Sequence, residues 1–270
     1  MERLLVVKAQ AIDCEAEVLL NDIPVARVDA GRSNVVVPVH EYALEGDNVL
    51  DLVLWPHPAQ ALQQTTLPAQ APFVSTGKHA AHARVLLPRI GNAAHEDGAR
   101  TLAQVDWAPD AGVSCELPLK QSLRFQLPAS FPRWRWLDAP PVEPSPEMRQ
   151  LALAFVQDLA QRLAAGDIDA FLQATRLRSD ELAVAYQQDV AQLRVRLHAY
   201  LTDAGAGGRF NWLPMEDEVF VLRHVAQGRL LECLDIGGGP MLRTAPDDTG
   251  RALALPLRLA AVAGKFYVLR

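Results

Sequence analysis

Polar and apolar residues alternate through the first half of the chain. Leu123, Phe125 and Leu127 interleave with Ser122, Arg124 and Gln126, the two-residue period of a strand with one wet and one dry face. Leu50, Leu52 and Leu54 alternate with Asp51 and Val53 and end at Trp55. Thr101, Ala103, Val105 and Trp107 alternate with Arg100, Gln104 and Asp106. Turn-forming residues separate these runs at Asn21-Asp22, Ala30-Gly31, Glu45-Gly46-Asp47-Asn48 and Pro109-Asp110-Ala111-Gly112. Many short strands with frequent turns predict an all-β antiparallel sandwich over residues 1–127. The stretch from Pro56 to Ala80, with prolines at 56, 58, 68 and 72, reads as one long loop.

The pattern changes at residue 128. Six prolines between Pro128 and Pro146 exclude a regular helix or central strand, so 128–145 reads as a proline-stiffened linker. Within it, Arg133-Trp134-Arg135-Trp136 reads as an anchor holding the linker against one domain, tryptophan supplying area and arginine stacking or pairing. Helical spacing begins at Ser145 as N-cap, with Pro146 at the first helical position, then Met148, Ala152, Phe155, Leu159 and Leu163 on one face, ending at Gly166. A short helix follows Asp167, and one longer helix is predicted to carry Leu182, Tyr186, Val190, Leu193, Leu197 and Leu201. Strands return at Phe220–Leu222, Leu230–Ile236, Leu253–Leu259 and Lys265–Arg270. Helices first and strands afterwards predict an α+β domain over 146–270, its helices packed on a curved antiparallel sheet.

That second half resembles a known superfamily. Leu163-Ala164-Ala165-Gly166-Asp167-Ile168-Asp169-Ala170-Phe171-Leu172 is similar to the helix–turn–helix opening of NTF2-like (SnoaL-like) proteins. The closing Gly264-Lys265-Phe266-Tyr267-Val268-Leu269-Arg270 resembles their last strand. The resemblance implies a cone-shaped sheet around a cavity, in a superfamily that holds enzymes and binding modules alike. In the first half, Val18–Val25, Val37–Tyr42 and Leu44–Leu50 look like galactose-binding-like sandwiches, whose Gly-x-Asn turn is matched by Gly46-Asp47-Asn48. Here that turn reads as structural, and carbohydrate binding is not expected.

Composition narrows the function. The 270 residues carry a net charge of −6. Residues 1–144 hold 12 Lys/Arg against 17 Asp/Glu, and 145–270 hold 14 against 15, so the first half is the acidic one. An acidic half argues against nucleic-acid phosphates and suits a basic protein partner. No apolar run has the roughly 20 residues of a membrane helix. The opening, Met1-Glu2-Arg3-Leu4-Leu5-Val6-Val7-Lys8, lacks the features of a signal peptide, so a cytoplasmic protein is expected. Cys14, Cys115 and Cys233 form no Cys-x-x-Cys pair, which gives no disulfide framework and no cysteine zinc site.

Candidate chemistry is sparse. His79 and His82, with His57 and His95 nearby in sequence, fit no zinc spacing and read as solvated loop histidines, so no metal or cofactor is expected. Gly237-Gly238-Gly239-Pro240 lacks the Lys-Ser/Thr of a phosphate loop and reads as a turn. His224 and Asp235 are the cavity candidates, since strand alternation puts them in phase with Phe220/Leu222 and Leu231/Cys233. A buried carboxylate there would be the general base of an NTF2-like enzyme, although the residues of an oxyanion hole cannot be placed. Glu216-Asp217-Glu218 beside Trp212, together with Asp247-Asp248, form a candidate recognition edge for a basic partner, with Trp212 as buried anchor.

Two domains, an acidic face and no assembled catalytic set resemble the immunity proteins paired with toxins of bacterial type VI secretion. That resemblance implies a non-catalytic inhibitor that binds a nuclease-type effector. The alternative is a small-molecule enzyme or binder using the cone cavity.

Overall fold

The structure, a computed structural model, describes residues 4–55, 71–88, 98–205, 210–247 and 250–270. The chain divides into two compact units between Arg133 and Trp134.

Among the described residues, the first unit is built from ten strands: β1 (Val6–Ile12), β2 (Glu15–Leu20), β3 (Ile23–Val28), β4 (Asn34–Pro38), β5 (Gly46–Trp55), β6 (Ala71–Val74), β7 (Ala80–Pro88), β8 (Ala99–Trp107), β9 (Ser114–Leu117) and β10 (Leu119–Leu127). They form two four-stranded antiparallel sheets, ordered β4-β1-β7-β8 and β10-β5-β2-β3, and a two-stranded pair, β6-β9. Both large sheets feed one core, in which Val7, Val18, Leu50, Leu52, Leu54 and Val85 are wholly enclosed. Removing that much apolar surface from water is what holds the unit together. Asn48 of the Gly46-Asp47-Asn48 turn is 1% exposed. Its Nδ2 donates to the carbonyls of Leu44 and Gly46, and its Oδ1 accepts from Leu44 N and Asn21 Nδ2. Every polar atom of that side chain is spent on the turn.

Two expectations for this half change. Thr101 is exposed instead of facing inward, because the β7–β8 register shifts at Val85/Leu86, skipping Leu102, which packs against the core. One extra residue in a ladder reverses the faces of the residues beyond it. The second correction concerns the proposed loop from Pro56 to Ala80. Ala71–Val74 is strand, paired from Ala71↔Leu117 to Val74↔Ser114, and Ala80 opens β7. Pro72 is tolerated because a two-stranded ladder is all edge. Residues 56–70 lie outside the described residues.

The second unit opens with a strap. Trp134 and Trp136 are 1% and 3% exposed, and Arg135–Asp138 forms a 3-10 turn. The Arg270 guanidinium lies 5.6 Å from the Trp134 ring centre. Glu181 ties Arg270 to the strap, accepting from Arg135 N at 2.6 Å and from the Arg270 guanidinium. Part of the stretch read as linker is therefore built into this unit.

Helices α1 (Pro146–Ala164), α2 (Ile168–Ala174), α3 (Arg176–Ala185) and α4 (Val190–Gly205) come next. Ser145 caps α1 by accepting from Met148 N, and Asp167 caps α2 by accepting from Ala170 N. The single long helix expected over 182–201 is two helices. Gln187 adopts a left-handed φ of 52°, and Asp189 accepts from Gln192 N, so one helix stops and a newly capped one starts. Four antiparallel strands complete the unit in sequence order: β11 (Phe220–Val225), β12 (Leu230–Asp235), β13 (Arg258–Val262) and β14 (Lys265–Val268). Leu153, Val156, Leu163, Phe171, Leu222, Leu231 and Leu259 make the core between helices and sheet.

Candidate functional site

At one end of the first unit, two short turns and residues of five strands line a pocket of about 490 Å³. The β1–β2 turn supplies Asp13 and Cys14, the start of β2 supplies Glu15, and the β3–β4 turn supplies Asp29. Trp55 at the end of β5, Phe73 of β6 and Leu117 of β9 add the apolar surface. Local sequence explains the geometry. Asp13 sits at φ 52°, a conformation that short polar residues tolerate. Asp29 closes its own turn: its Oδ1 accepts from Gly31 N at 2.8 Å and Arg32 N at 3.0 Å. Ala11 N donates to Ser33 O, tying that turn to β1.

Among the described residues the pocket is lined by three carboxylates and no cationic side chain. Glu15 lies 3.5 Å from Arg27, a weak pairing. Asp13 is exposed and makes no ion pair among the described residues. The Cys14 thiol donates to Ala80 O at 3.3 Å, and burial pushes its pKa up despite that and other backbone bonds. A thiol held protonated is a weak nucleophile and a poor metal ligand. The chemistry on offer is attraction of positive charge beside aromatic surface.

Sequence pattern does not single out Asp13, Glu15, Asp29, Trp55 and Phe73 as a site. They come from separate strands and turns, and their only local signals are the acidic turns and the tryptophan closing an alternating run.

The residues that the sequence does single out lie in the second unit and do not converge. His224 pairs across the ladder with Leu231, whereas Asp235 pairs with Phe220, four positions away. At about 3.4 Å per residue that separates them by roughly 14 Å along the hairpin. Asp235 accepts from Gly239 N at 2.9 Å and binds the Arg243 guanidinium. It thereby organises the Gly237-Gly238-Gly239 turn, in which a Cβ on Gly239 would collide with Arg243. Neither ring nitrogen of His224 has a hydrogen-bond partner among the described residues, and burial lowers its pKa while Glu143 raises it more weakly. A base and its partner are not assembled there.

Trp212 is half-buried, stacks on Phe210 with ring centres 5.0 Å apart, and donates from Nε1 to Ala160 O. It anchors its own core. Glu216, Asp217 and Glu218 are all exposed, but Asp217 is bound to Arg149, which also donates to Phe220 O. Asp247 is exposed and accepts from Arg251 N within a turn; Asp248 lies outside the described residues.

Of the histidines considered for metal, His79 contacts Thr76 and His82 pairs with Asp106 at 2.7 Å, while His57 and His95 lie outside the described residues. Among the described residues no three His, Cys, Asp or Glu side chains gather as a metal site would require. No helix there is long and apolar enough to cross a membrane. No family model matches the chain. No curated protein and no solved structure matches it either.

Proposed function

We propose that this is a non-catalytic protein-binding protein that receives a basic partner at the acid-lined pocket of its first unit. The observation that carries the reading is the lining itself: Asp13, Glu15 and Asp29 around Trp55, Phe73 and Leu117, with no lysine, arginine or histidine among the described lining residues. Carboxylates at the rim of a partly apolar pocket would give both steering and a contact that excludes water. In this reading the first unit is a galactose-binding-like sandwich turned to protein recognition, and the second an NTF2-like cone. The class that fits is a cytoplasmic immunity protein covering the active site or DNA-binding face of a nuclease-type toxin of type VI secretion.

The test is co-expression with each toxin-like product encoded beside this gene. A stable complex on gel filtration, with rescue of growth, is the expected result. The reading fails if no neighbouring product is bound or neutralised, or if binding persists at full strength when Asp13 and Asp29 are both changed to asparagine.

A further inference from the structure

The β11–β12 turn, residues 226–229, holds the end of the strap at two points. Gly228 O accepts from Val142 N at 2.9 Å, and the Arg229 guanidinium donates to Ala139 O at 2.6 Å. The approach is close: a Cβ on Gly228, which has φ 79°, would stand 3.2 Å from Val142 O. Two residues before that turn, alternation along β11 puts His224 on the core side with Phe220 and Leu222, and Val142 packs against the same core. Both ring nitrogens of His224 are shut off from water, and neither has a hydrogen-bond partner among the described residues. A neutral imidazole survives there with unmade hydrogen bonds, whereas an imidazolium would carry two unanswered N–H donors and a charge. Glu143, the residue after Val142, is the carboxylate that acts on the ring from the strap. Arg223 and Glu232 are paired with each other on the opposite face of the sheet. From α1, Arg149 is spent on Asp217 and Phe220 O at the far end of β11, and Glu147 is exposed. We infer that His224 is an acid latch: while its ring is neutral the strap stays docked on the turn, and protonation favours a state in which residues 139–144 lift away and the ring reaches water. Burial lowers the pKa of the docked ring and Glu143 raises it less, so docking is unopposed above about pH 6.5 and opposed increasingly below it.

Amide hydrogen exchange of the full-length protein, expressed as protection relative to the intrinsic rate at each pH, reads the latch at Val142 N. Cys233 N, which donates to Leu257 O, is the core reference. Protection at Val142 is expected to hold from pH 7.5 to 6.5 and then fall about three- to tenfold by pH 5.5, tenfold being the limit for one proton over one pH unit. Cys233 should keep its protection throughout. The His224 ring, followed by NMR, should titrate below about pH 6.5. His224→Leu removes the proton and should leave protection at Val142 independent of pH. Glu143→Gln, at an exposed position, removes the offsetting carboxylate, so it should lower the ring's midpoint and deepen the acid loss. The parent's ring titration and Glu143→Gln need no change at position 224, so they decide the matter even where His224→Leu does not fold. A ring midpoint at or above pH 6.5, a loss at Val142 of less than about twofold, or the same loss in folded His224→Leu overturns the latch. A Glu143→Gln ring that titrates no lower than the parent's overturns it too. Parallel loss at Val142 and Cys233 is global acid unfolding and does the same.

Discussion

Among the described residues, neighbouring acidic side chains can be of two kinds, those spent on the fold and those left to the solvent. Asp217 is of the first kind, fastened to Arg149, whereas its neighbours Glu216 and Glu218 are exposed. Replacing Asp217 by asparagine should lower stability by about 0.5 kcal/mol, because the pair is only partly shielded from water. Changing Glu216 and Glu218 to lysine should leave the melting temperature unaltered, and scanning calorimetry separates the two outcomes. Glu232 is a stronger case. It is buried between Arg223 and Arg258, with bonds of 2.8 and 2.9 Å to their Nε atoms. Burial alone would raise its pKa, but the two guanidinium charges outweigh burial and hold it below the ordinary glutamate value. A carboxyl whose folded pKa lies below its unfolded one adds stability in full above about pH 4.5, lost as pH falls through the folded value. Glu232→Gln should therefore be destabilised at pH 7 and show a shallower loss of stability on acidification than the parent. Urea unfolding between pH 3 and 7 measures this, and equal slopes would show that Glu232 does not carry the linkage.

Elements were legible where local chemistry sets them. The Leu123/Phe125/Leu127 alternation, the Ser145 cap and the Gly166-Asp167 junction are all written in neighbouring residues, and each is formed as its residues suggest, whereas in β5 Asp51 and Val53 are buried along with Leu50, Leu52 and Leu54. What escaped was decided by distant partners. The inward face of β8 reverses because of a bulge against β7, and β6 exists because Ser114–Leu117 comes alongside it. The α3–α4 break had a local sign, Asp189 as a cap three residues before Gln192, but the continuous leucine spacing masked it. The candidate site was the least legible, since its carboxylates and aromatic rings lie on β-strands and turns far apart in sequence. At the α3–α4 break, Gln187 is held at φ 52°, where a side chain is disfavoured and glycine is not. Gln187→Gly should accordingly stabilise the protein by about 0.5–1 kcal/mol, read as a higher urea midpoint. A lower midpoint would mean that contacts of the Gln187 side chain outweigh the backbone strain.

At the scale of the whole chain, the useful boundary is the one the cores define. Each unit has its own hydrophobic core, and the chain divides at Arg133/Trp134, inside a stretch whose prolines suggest a linker. Trp134 and Trp136 explain the placement: both are buried, and the strap is held by Glu181 and by the carbonyl of Ala139, which accepts from Arg229 at 2.6 Å. Burying two indoles contributes several kcal/mol, a large share of the roughly 5–15 kcal/mol by which a domain is stable. A fragment beginning at Trp134 should then fold, with cooperative unfolding and dispersed amide resonances. A fragment beginning at Ser145 keeps every helix and strand of the unit yet loses the strap, leaving Arg270 without its aromatic partner and Glu181 without the Arg135 amide. It should melt at least ~10 °C lower or remain unfolded, since one kcal/mol is worth about 4–8 °C in a small domain. Equal melting temperatures for the two fragments would show that the strap is a passive linker after all, and would return the boundary to the end of the proline-rich stretch.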